Sequence, residues 1–407
     1  MANPINERKI LLGVTGSIAA YKSADLASRL SQDGAIVDVI LTESAQKFIS
    51  PLTFQSVTGR KVYTDSDMWG REEHIAHVTL GQYAELVVIA PATANTIARL
   101  AAGLADNLLT ITALTAHCPL VVAPAMDVGM YGHSSVQENI QKLSDMGVVF
   151  IGPEEGHLAS GLKGLGRMTS PGDISGYLRH ILAVDGPLKG MRVVVTAGGT
   201  EEAIDPVRIL TNRSSGRQGY AIAQAALDAG AEVDLISAPT HLDPPIGAKV
   251  HHVESSEQMH QAVIGLLSGC DLLVMAAAPA DFRPASPSQS KIKKNIGFNQ
   301  LVLEPTTDIL SEVAEYNKLR GSPRYSVGFA AESHDLIENA KKKLSKKNLD
   351  MMVANDITQP DAGFISKKNQ VSLIFPDGNV QKYPLVDKYR VGEIIIERFL
   401  RWDGGLI

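Results

Sequence analysis

The chain has 407 residues, 44% of them hydrophobic and 20% charged, with 38 basic against 44 acidic side chains and a formal net charge of −6. That length suits two or three domains, each able to bury its own core. A nucleic-acid partner would call for a basic domain or stripe, a membrane helix for an apolar run of about 18 residues, and a secretory leader for an apolar core after Met1-Ala2-Asn3-Pro4. The chain has none of these, so a cytoplasmic protein with no nucleic-acid or membrane partner is expected. Its two cysteines, Cys118 and Cys270, flank apolar runs and read as buried small hydrophobes; two such residues build neither a disulfide framework nor a zinc site.

The first strand, Lys9-Ile10-Leu11-Leu12-Gly13-Val14, ends in the turn Thr15-Gly16-Ser17, and a helix with an apolar face follows over residues 20–30. Such a turn presents backbone N–H groups at a helix N-terminus, a setting that suits a phosphate. It lacks the lysine-and-hydroxyl ending of a Walker loop and the full dinucleotide fingerprint. Further strands are expected over residues 35–41, 82–90 and 120–126, with a helix over 96–104. Polar residues gather where these strands end: Ser17, Thr42, Thr93, Asn95 and Asp127. Alternating strands and helices imply a doubly wound parallel sheet that binds ligands at the strands' carboxyl ends.

The Pro/Gly connector Gly186-Pro187-Leu188-Lys189-Gly190 then leads into a second β-branched run, 192–196, which again ends in glycines, Gly198-Gly199. The chain therefore begins twice, and two α/β domains of the doubly wound, Rossmann-like kind are expected, over residues 1–190 and 191–407. In the second, Ser214-Ser215-Gly216 opens an Ala-rich helix and again offers hydroxyl and N–H groups to a phosphate. Buried strands are expected over 231–237, 271–276 and 325–332, and a short one over 301–303. Lysines cluster at Lys291-Ile292-Lys293-Lys294 and between Lys341 and Lys347. The first cluster follows a ligand-loop signature, and such lysines can reach a triphosphate together with a metal. For Lys341, Lys342 and Lys346 a solvated helix face is an equal reading.

Four stretches of the first half, Gly16-Ser17-Ile18-Ala19-Ala20-Tyr21-Lys22, Ile75-Ala76-His77, Pro91-Ala92-Thr93-Ala94-Asn95-Thr96 and Pro124-Ala125-Met126, resemble the flavin-dependent cysteine decarboxylases. They are most similar to the phosphopantothenoylcysteine decarboxylase half of the bifunctional coenzyme A biosynthesis proteins. The resemblance implies a flavodoxin-like domain with FMN at the strand ends, bound through Gly16, Ser17, Thr42, Pro91, Thr93 and Asn95, and His77 as catalytic base; a plain surface histidine beside His74 is the alternative. It also implies substrate contacts through Met126 and Arg167. Two family positions differ. Asp127 stands where the family has the asparagine that fixes the substrate carboxylate, and Ser160 where it has the cysteine that donates the returning proton. An ionised Asp127 would repel a substrate carboxylate unless one of the two carries a proton, and a serine hydroxyl is a far weaker acid than a thiol. Two readings follow, an active variant with a rewired clamp and donor, or a weakened flavin domain serving assembly or regulation.

The second half is similar over essentially its full length to the phosphopantothenate–cysteine ligase domain. The similarity runs through Asp205-Pro206-Val207-Arg208 to Ser215-Gly216, Ala278-Pro279-Ala280-Asp281, Lys291 to Lys294, and Gly328-Phe329-Ala330-Ala331-Glu332 with Ala354-Asn355-Asp356. It implies CTP as co-substrate, an acyl-cytidylate intermediate handled by Asn212, charge stabilisation by Lys291, and substrate contact through Arg208. The CTP site would comprise Ala277, Ala278, Asp281, Lys291, Thr307, Asp308, Ile309, Leu310, Phe329, Lys343 and Lys347, with Mg2+ carried on the phosphates, and a loop over 288–299 could close over the nucleotide. The small-molecule partners implied are 4′-phosphopantothenate, cysteine and CTP. The resemblance further implies trimeric flavin domains and dimeric ligase domains, together a homo-oligomer as large as a dodecamer. A nicotinamide dehydrogenase is the remaining alternative: Asp38 follows the first glycine turn at a suitable distance, but the glycine spacing is wrong.

Overall fold

The computed structural model describes residues 3–69, 76–293, 300–332, 335–356 and 366–403. His74, Ile75 and Lys294 lie outside the described residues, as does the 294–299 part of the proposed closing loop. The chain folds as two compact units that divide between Leu182 and Ala183, so the Pro/Gly connector belongs to the second.

In the first unit the order is β1 (Lys9–Val14), α1 (Ala20–Gln32), β2 (Ile36–Leu41), α2 (Pro51–Thr58), β3 (Val62–Thr64), α3 (Ala76–Tyr83), β4 (Leu86–Ala92), α4 (Ala94–Ala102), α5 (Leu108–Thr115), β5 (Leu120–Pro124), α6 (Val128–Tyr131), α7 (Ser134–Asp145), β6 (Val149–Phe150), β7 (Glu154–His157), β8 (Lys163–Arg167) and α8 (Pro171–Ala183). The sheet runs β3-β2-β1-β4-β5-β6, every pair parallel. Without the three-residue edge strand β3 this is the flavodoxin order, 2-1-3-4-5. β4 is buried at all seven positions, as a strand covered by helices on both faces must be. The expected strand over 82–90 begins only at Leu86, because Gln82 and Tyr83 close helix α3 and the continuous apolar run starts after them.

The second unit comprises β9 (Arg192–Ala197), β10 (Glu201–Ala203), β11 (Ile209–Thr211), α9 (Arg217–Asp228), β12 (Glu232–Ser237), β13 (Lys249–His252), α10 (Ser256–Leu266), β14 (Leu272–Met275), β15 (Phe282–Pro284), β16 (Leu303–Pro305), α11 (Ile309–Arg320), β17 (Tyr325–Glu332), α12 (Leu336–Lys346), β18 (Met351–Asp356), β19 (Lys368–Asn369), β20 (Val371–Ile374), β21 (Val380–Lys382), β22 (Val386–Asp387) and α13 (Lys388–Trp402). Its eight-stranded sheet runs β13-β12-β9-β14-β17-β18-β20-β21. The first six strands are parallel and repeat the 3-2-1-4-5-6 order of the first unit, and β20 and β21 add an antiparallel edge. The short strand expected over 301–303 appears two residues later, as β16 paired with β15. Cys270 is buried as expected, whereas Cys118 is half-buried at the loop before β5.

Both sheets thus reverse strand order between their first and fourth strands, β1/β4 and β9/β14. At such a switch point adjacent loops diverge and leave a crevice at the carboxyl ends. The loops are pinned there in equivalent ways. Thr15 Oγ1 donates to Pro91 O at 2.7 Å and accepts from Thr93 N at 3.1 Å. Thr196 Oγ1 accepts from Ala277 N at 3.1 Å, and Thr200 Oγ1 from Ala280 N at 2.8 Å.

Candidate active sites

In the first unit a cavity of about 290 Å³ lies between the turn after β1, the turn after β5 and the β7–β8 hairpin. The hairpin is docked by a Met126 N to Gly166 O bond of 3.0 Å. Gly166 has a φ of +154°, and a Cβ there would stand 2.1 Å from Met126 O, so only glycine permits this approach. Ser17, Lys22, Met126, Asp127, Ser160 and Arg167 all line the cavity.

The two positions that differ from the family pattern touch each other. Ser160 Oγ donates to Asp127 Oδ2 at 2.6 Å, from the hairpin tip to the turn after β5. Asp127 also caps α6, its Oδ1 accepting from Gly129 N at 3.0 Å. The Ser160 hydroxyl, with the Gly129 N–H, holds the Asp127 carboxyl below its ordinary range. Lys22 donates to Met168 O at 2.7 Å, and burial, with Arg167 nearby, pushes its ammonium down.

Gly16, Thr42, Pro91, Thr93, Asn95 and His77 are not among the residues lining this cavity. Gly16 and Thr42 follow β1 and β2, Pro91 lies near the end of β4, Thr93 follows that strand, and Asn95 is in the first turn of α4. Thr93 caps α4, accepting from Thr96 N, Thr42 Oγ1 accepts from Ala45 N at 3.2 Å, and Asn95 is exposed. His77 lies in the first turn of α3 with its Nδ1 buried and unpartnered. That orphaned nitrogen, with hydroxyl and amide groups at the ends of three parallel strands, fits a polar cofactor carrying a phosphate.

The second unit holds a larger cavity of about 610 Å³, within the range of small-molecule and cofactor sites. It brings together Asn212, Ala277, Ala278, Asp281, Thr307, Asp308, Ile309, Leu310, Phe329, Lys343 and Lys347. Asn212 is oriented by its Nδ2, which donates to Ala278 O at 3.2 Å and Pro279 O at 3.0 Å. Lys347 pairs with Asp308 and donates to Ser311 Oγ at 3.0 Å; burial lowers its pKa, with Asp281 opposing. Gly216, with φ +73°, turns the chain into α9 and aims that helix's first residues at the cavity.

Lys291 and Arg208 do not line it. They lie on segments held together by buried Asp205, which accepts from Val207 N (2.8 Å), Arg208 N (2.9 Å), Ile292 N (3.2 Å) and Arg208 Nη1 (2.5 Å). Burial pushes the Asp205 carboxyl up, but these donors outweigh it and hold the group below its usual range. Among the described residues no group of three or more His, Cys, Asp or Glu could hold a metal.

Sequence reasoning missed one whole end of this cavity: Arg217, Gln218, Asn369 and Lys388, with Asn355, which was noticed only as part of a motif. Lys388 is 5% exposed, and burial, together with Arg217, pushes its ammonium down to about 8. Asn355 Oδ1 and Asn369 Oδ1 are buried without partners, so two acceptors in the wall await a donor from a ligand. Such a wall, with cations beside unpaired amide oxygens, suits a ligand that is both anionic and rich in hydroxyl or amide donors.

Residues 2–182 match the flavoprotein family, and residues 188–402 match the C-terminal domain of DNA/pantothenate metabolism flavoproteins. A Bacillus subtilis (strain 168) relative named coenzyme A biosynthesis bifunctional protein CoaBC is 45% identical over 396 residues, covering 97% of either chain. A Vibrio vulnificus (strain YJ016) protein of the same name is 40% identical, over 96% of this chain and 97% of that one. The crystal structure of the C-terminal domain of a protein of that name is similar at 38% identity, covering 54% of this chain and 98% of the other with a TM-score of 0.46. Among the described residues no helix is long and apolar enough to cross a membrane.

Proposed function

We propose, from the premise that the chain belongs to the family of bifunctional coenzyme A biosynthesis proteins, that its second unit makes 4′-phosphopantothenoylcysteine and its first unit decarboxylates that product to 4′-phosphopantetheine. The observation that carries the reading is the larger cavity, which gathers Asn212, Asp281, the Thr307–Leu310 turn, Phe329, Lys343 and Lys347 from five separate segments.

A carboxylate resists an amine until one of its oxygens becomes a leaving group, and transfer of a cytidylyl group from CTP supplies that. Lys343 and Lys347 neutralise the nucleotide's phosphates, Asn212 holds the acyl-cytidylate, and Lys291 approaches as the loop closes. Mg2+ enters with the phosphates. These are contributions of positioning and charge neutralisation. CTP-dependent protection of residues 288–299 from protease would support closure.

In the first unit Gly16, Ser17, Thr42, Pro91, Thr93 and Asn95 would hold FMN. When bound it supplies a two-electron acceptor for the substrate thiol, which creates the electron sink that loss of CO2 needs. His77 takes the thiol proton, Met126 and Arg167 bind substrate, Asp127 takes the place of the carboxylate clamp, and Ser160 that of the donor of the returning proton. A homo-oligomer is part of the reading, with trimeric flavin units and dimeric ligase units, and sedimentation analysis tests it.

The test is a mass-resolved product assay with 4′-phosphopantothenate, cysteine, CTP and Mg2+. Appearance of 4′-phosphopantetheine with CO2 supports both activities. Arrest at 4′-phosphopantothenoylcysteine leaves the ligase and favours a flavin unit weakened by Asp127 and Ser160. Formation of neither product refutes the reading.

A further inference from the structure

We propose that Asp127 and Ser160 act as one unit, which takes up a proton when a ligand carboxylate enters the smaller cavity and delivers it to the carbon from which CO2 departs. This rests on the decarboxylase reading of the first unit.

Asp127 has both carboxylate oxygens occupied by donors, Ser160 Oγ–H on Oδ2 at 2.6 Å and Gly129 N–H on Oδ1 at 3.0 Å. That is the pattern of an ionised carboxylate, and in it the Ser160 proton points at Asp127, away from any ligand. In this state neither residue is a proton donor: Asp127 carries no proton, and Ser160 has committed its own.

The other titratable and charged groups around the same cavity are Lys22 and Tyr21 from α1, His157 from β7 and Arg167 from β8. Lys22 and Arg167 make the cavity attractive to an anionic ligand, yet a carboxylate drawn in by them meets Asp127. Two carboxylates sharing one site do not both stay ionised; the second charge raises the affinity of the pair for a proton. With that proton on Asp127 Oδ2 the hydrogen bond reverses. Oδ2–H now donates to Ser160 Oγ, and the Ser160 hydroxyl is free to turn toward the ligand.

Decarboxylation releases neutral CO2 and leaves the negative charge, as an electron pair, on the carbon that bore the carboxylate. That carbon is a far stronger base than the carboxylate was, and its protonation removes the like charge that kept Asp127 protonated. Ser160 O–H breaks as the new C–H forms, Oδ2–H breaks as Oγ–H is restored, and Asp127 returns to its ionised state. One proton has passed from solvent to carbon, with no alkoxide left behind and no further reagent needed. The two departures from the family pattern are then one change. An aspartate alone would repel the substrate and a serine alone would be too weak an acid, but joined they provide both clamp and donor.

The test is isothermal titration calorimetry of the purified full-length flavoprotein at pH 7, repeated in buffers of different ionisation enthalpy so that proton uptake is read directly. The probe is the serine analogue of 4′-phosphopantothenoylcysteine, whose hydroxyl does not enter the thiol chemistry, and the control is the same compound with the carboxylate deleted. Wild type should take up about one proton per probe bound and about none with the control. Asp127→Asn should bind with no uptake, whereas Ser160→Ala should keep the uptake but accumulate the decarboxylated, unprotonated product in a single turnover with the true substrate. Binding without uptake in the wild type, or uptake that persists in Asp127→Asn, overturns the relay. Failure of the probe to bind at millimolar concentration overturns the decarboxylase reading itself, and the relay with it.

Discussion

Gly219, the third residue of α9, decides how closely that helix approaches the central strand β9. A Cβ built there would stand 2.5 Å from Ala197 Cβ, 2.6 Å from Thr196 O and 2.9 Å from Ala197 Cα. Ordinary contacts between carbon atoms lie at about 3.5–4.0 Å, so Gly219→Ala forces a displacement on the order of 1 Å. Strand β9 is paired on both sides, by β12 and β14, and has no room to yield; the helix must move instead. Overpacking of this kind costs about 1–3 kcal/mol, against a helix-propensity gain of at most about 1 kcal/mol, and the steric term wins. For a unit of this size each kcal/mol corresponds to roughly 2–4 °C, so the transition of the second unit should fall by several degrees. The same displacement moves Ser215, Gly216, Arg217 and Gln218, which line the larger cavity, so the ligase KM for 4′-phosphopantothenate should rise. Gly265→Ala is the matched comparison, because a Cβ there meets nothing within 4 Å; it should leave stability unchanged or raise it by up to about 1 kcal/mol. Calorimetric scans and ligase kinetics on the full chain read both variants. A Gly219→Ala protein with unchanged melting temperature and KM would refute the close-approach argument.

Lys388 is protonated below about 8 in the folded chain, against about 10.4 for a free lysine. Affinity for 4′-phosphopantothenate, measured by calorimetry, should therefore weaken as pH rises from 7 to 9, and Lys388→Met should flatten that dependence. Because the folded value is the lower one, the unfolded chain binds more protons between about pH 8 and 10.4, and wild-type stability should rise across that window relative to Lys388→Met. Asp234 is nearly buried and accepts from Arg192 Nε at 2.8 Å and pairs with His251 Nε2 at 2.7 Å. Burial pushes its carboxyl up, but His251 and Arg192 outweigh that and hold it below the usual range. Its stabilisation is thus fully present above about pH 3.9 and lost as pH falls through the lower folded value; Asp234→Asn should cost about 3 kcal/mol at pH 7 in urea titrations, with the deficit shrinking in acid. Phe399 is fully buried against Tyr325 and Trp402, at ring-centroid distances of 5.8 and 6.3 Å. Phe399→Ala should destabilise the second unit by about 3–5 kcal/mol in denaturant melts.

What could be read from the sequence, and what could not, divides along a physical line. Parallel strands buried on both faces announce themselves as unbroken apolar runs such as Leu86-Val87-Val88-Ile89, and the glycine turns that follow β1 and β9 mark the two switch points without any knowledge of contacts. The edge of an element is set by weaker local preferences, which is why Gln82 and Tyr83 went to a helix. Lys388 was invisible for a different reason: a single lysine beside an apolar stretch has no periodicity or spacing to distinguish it, and only the packing of α13 on α9 brings it beside Arg217. The pairing of Asp127 with Ser160 crosses 33 positions and depends on how a hairpin docks. Taken one position at a time, each of those residues argues against catalysis, since one adds a repelling charge and the other removes an acid. In the relay proposed above their contact reverses that inference, because a carboxylate that stores a proton is the acid that the serine lacks. A departure from a motif is therefore weighed correctly only with its spatial neighbours in view, where two apparent losses can compose a single working device.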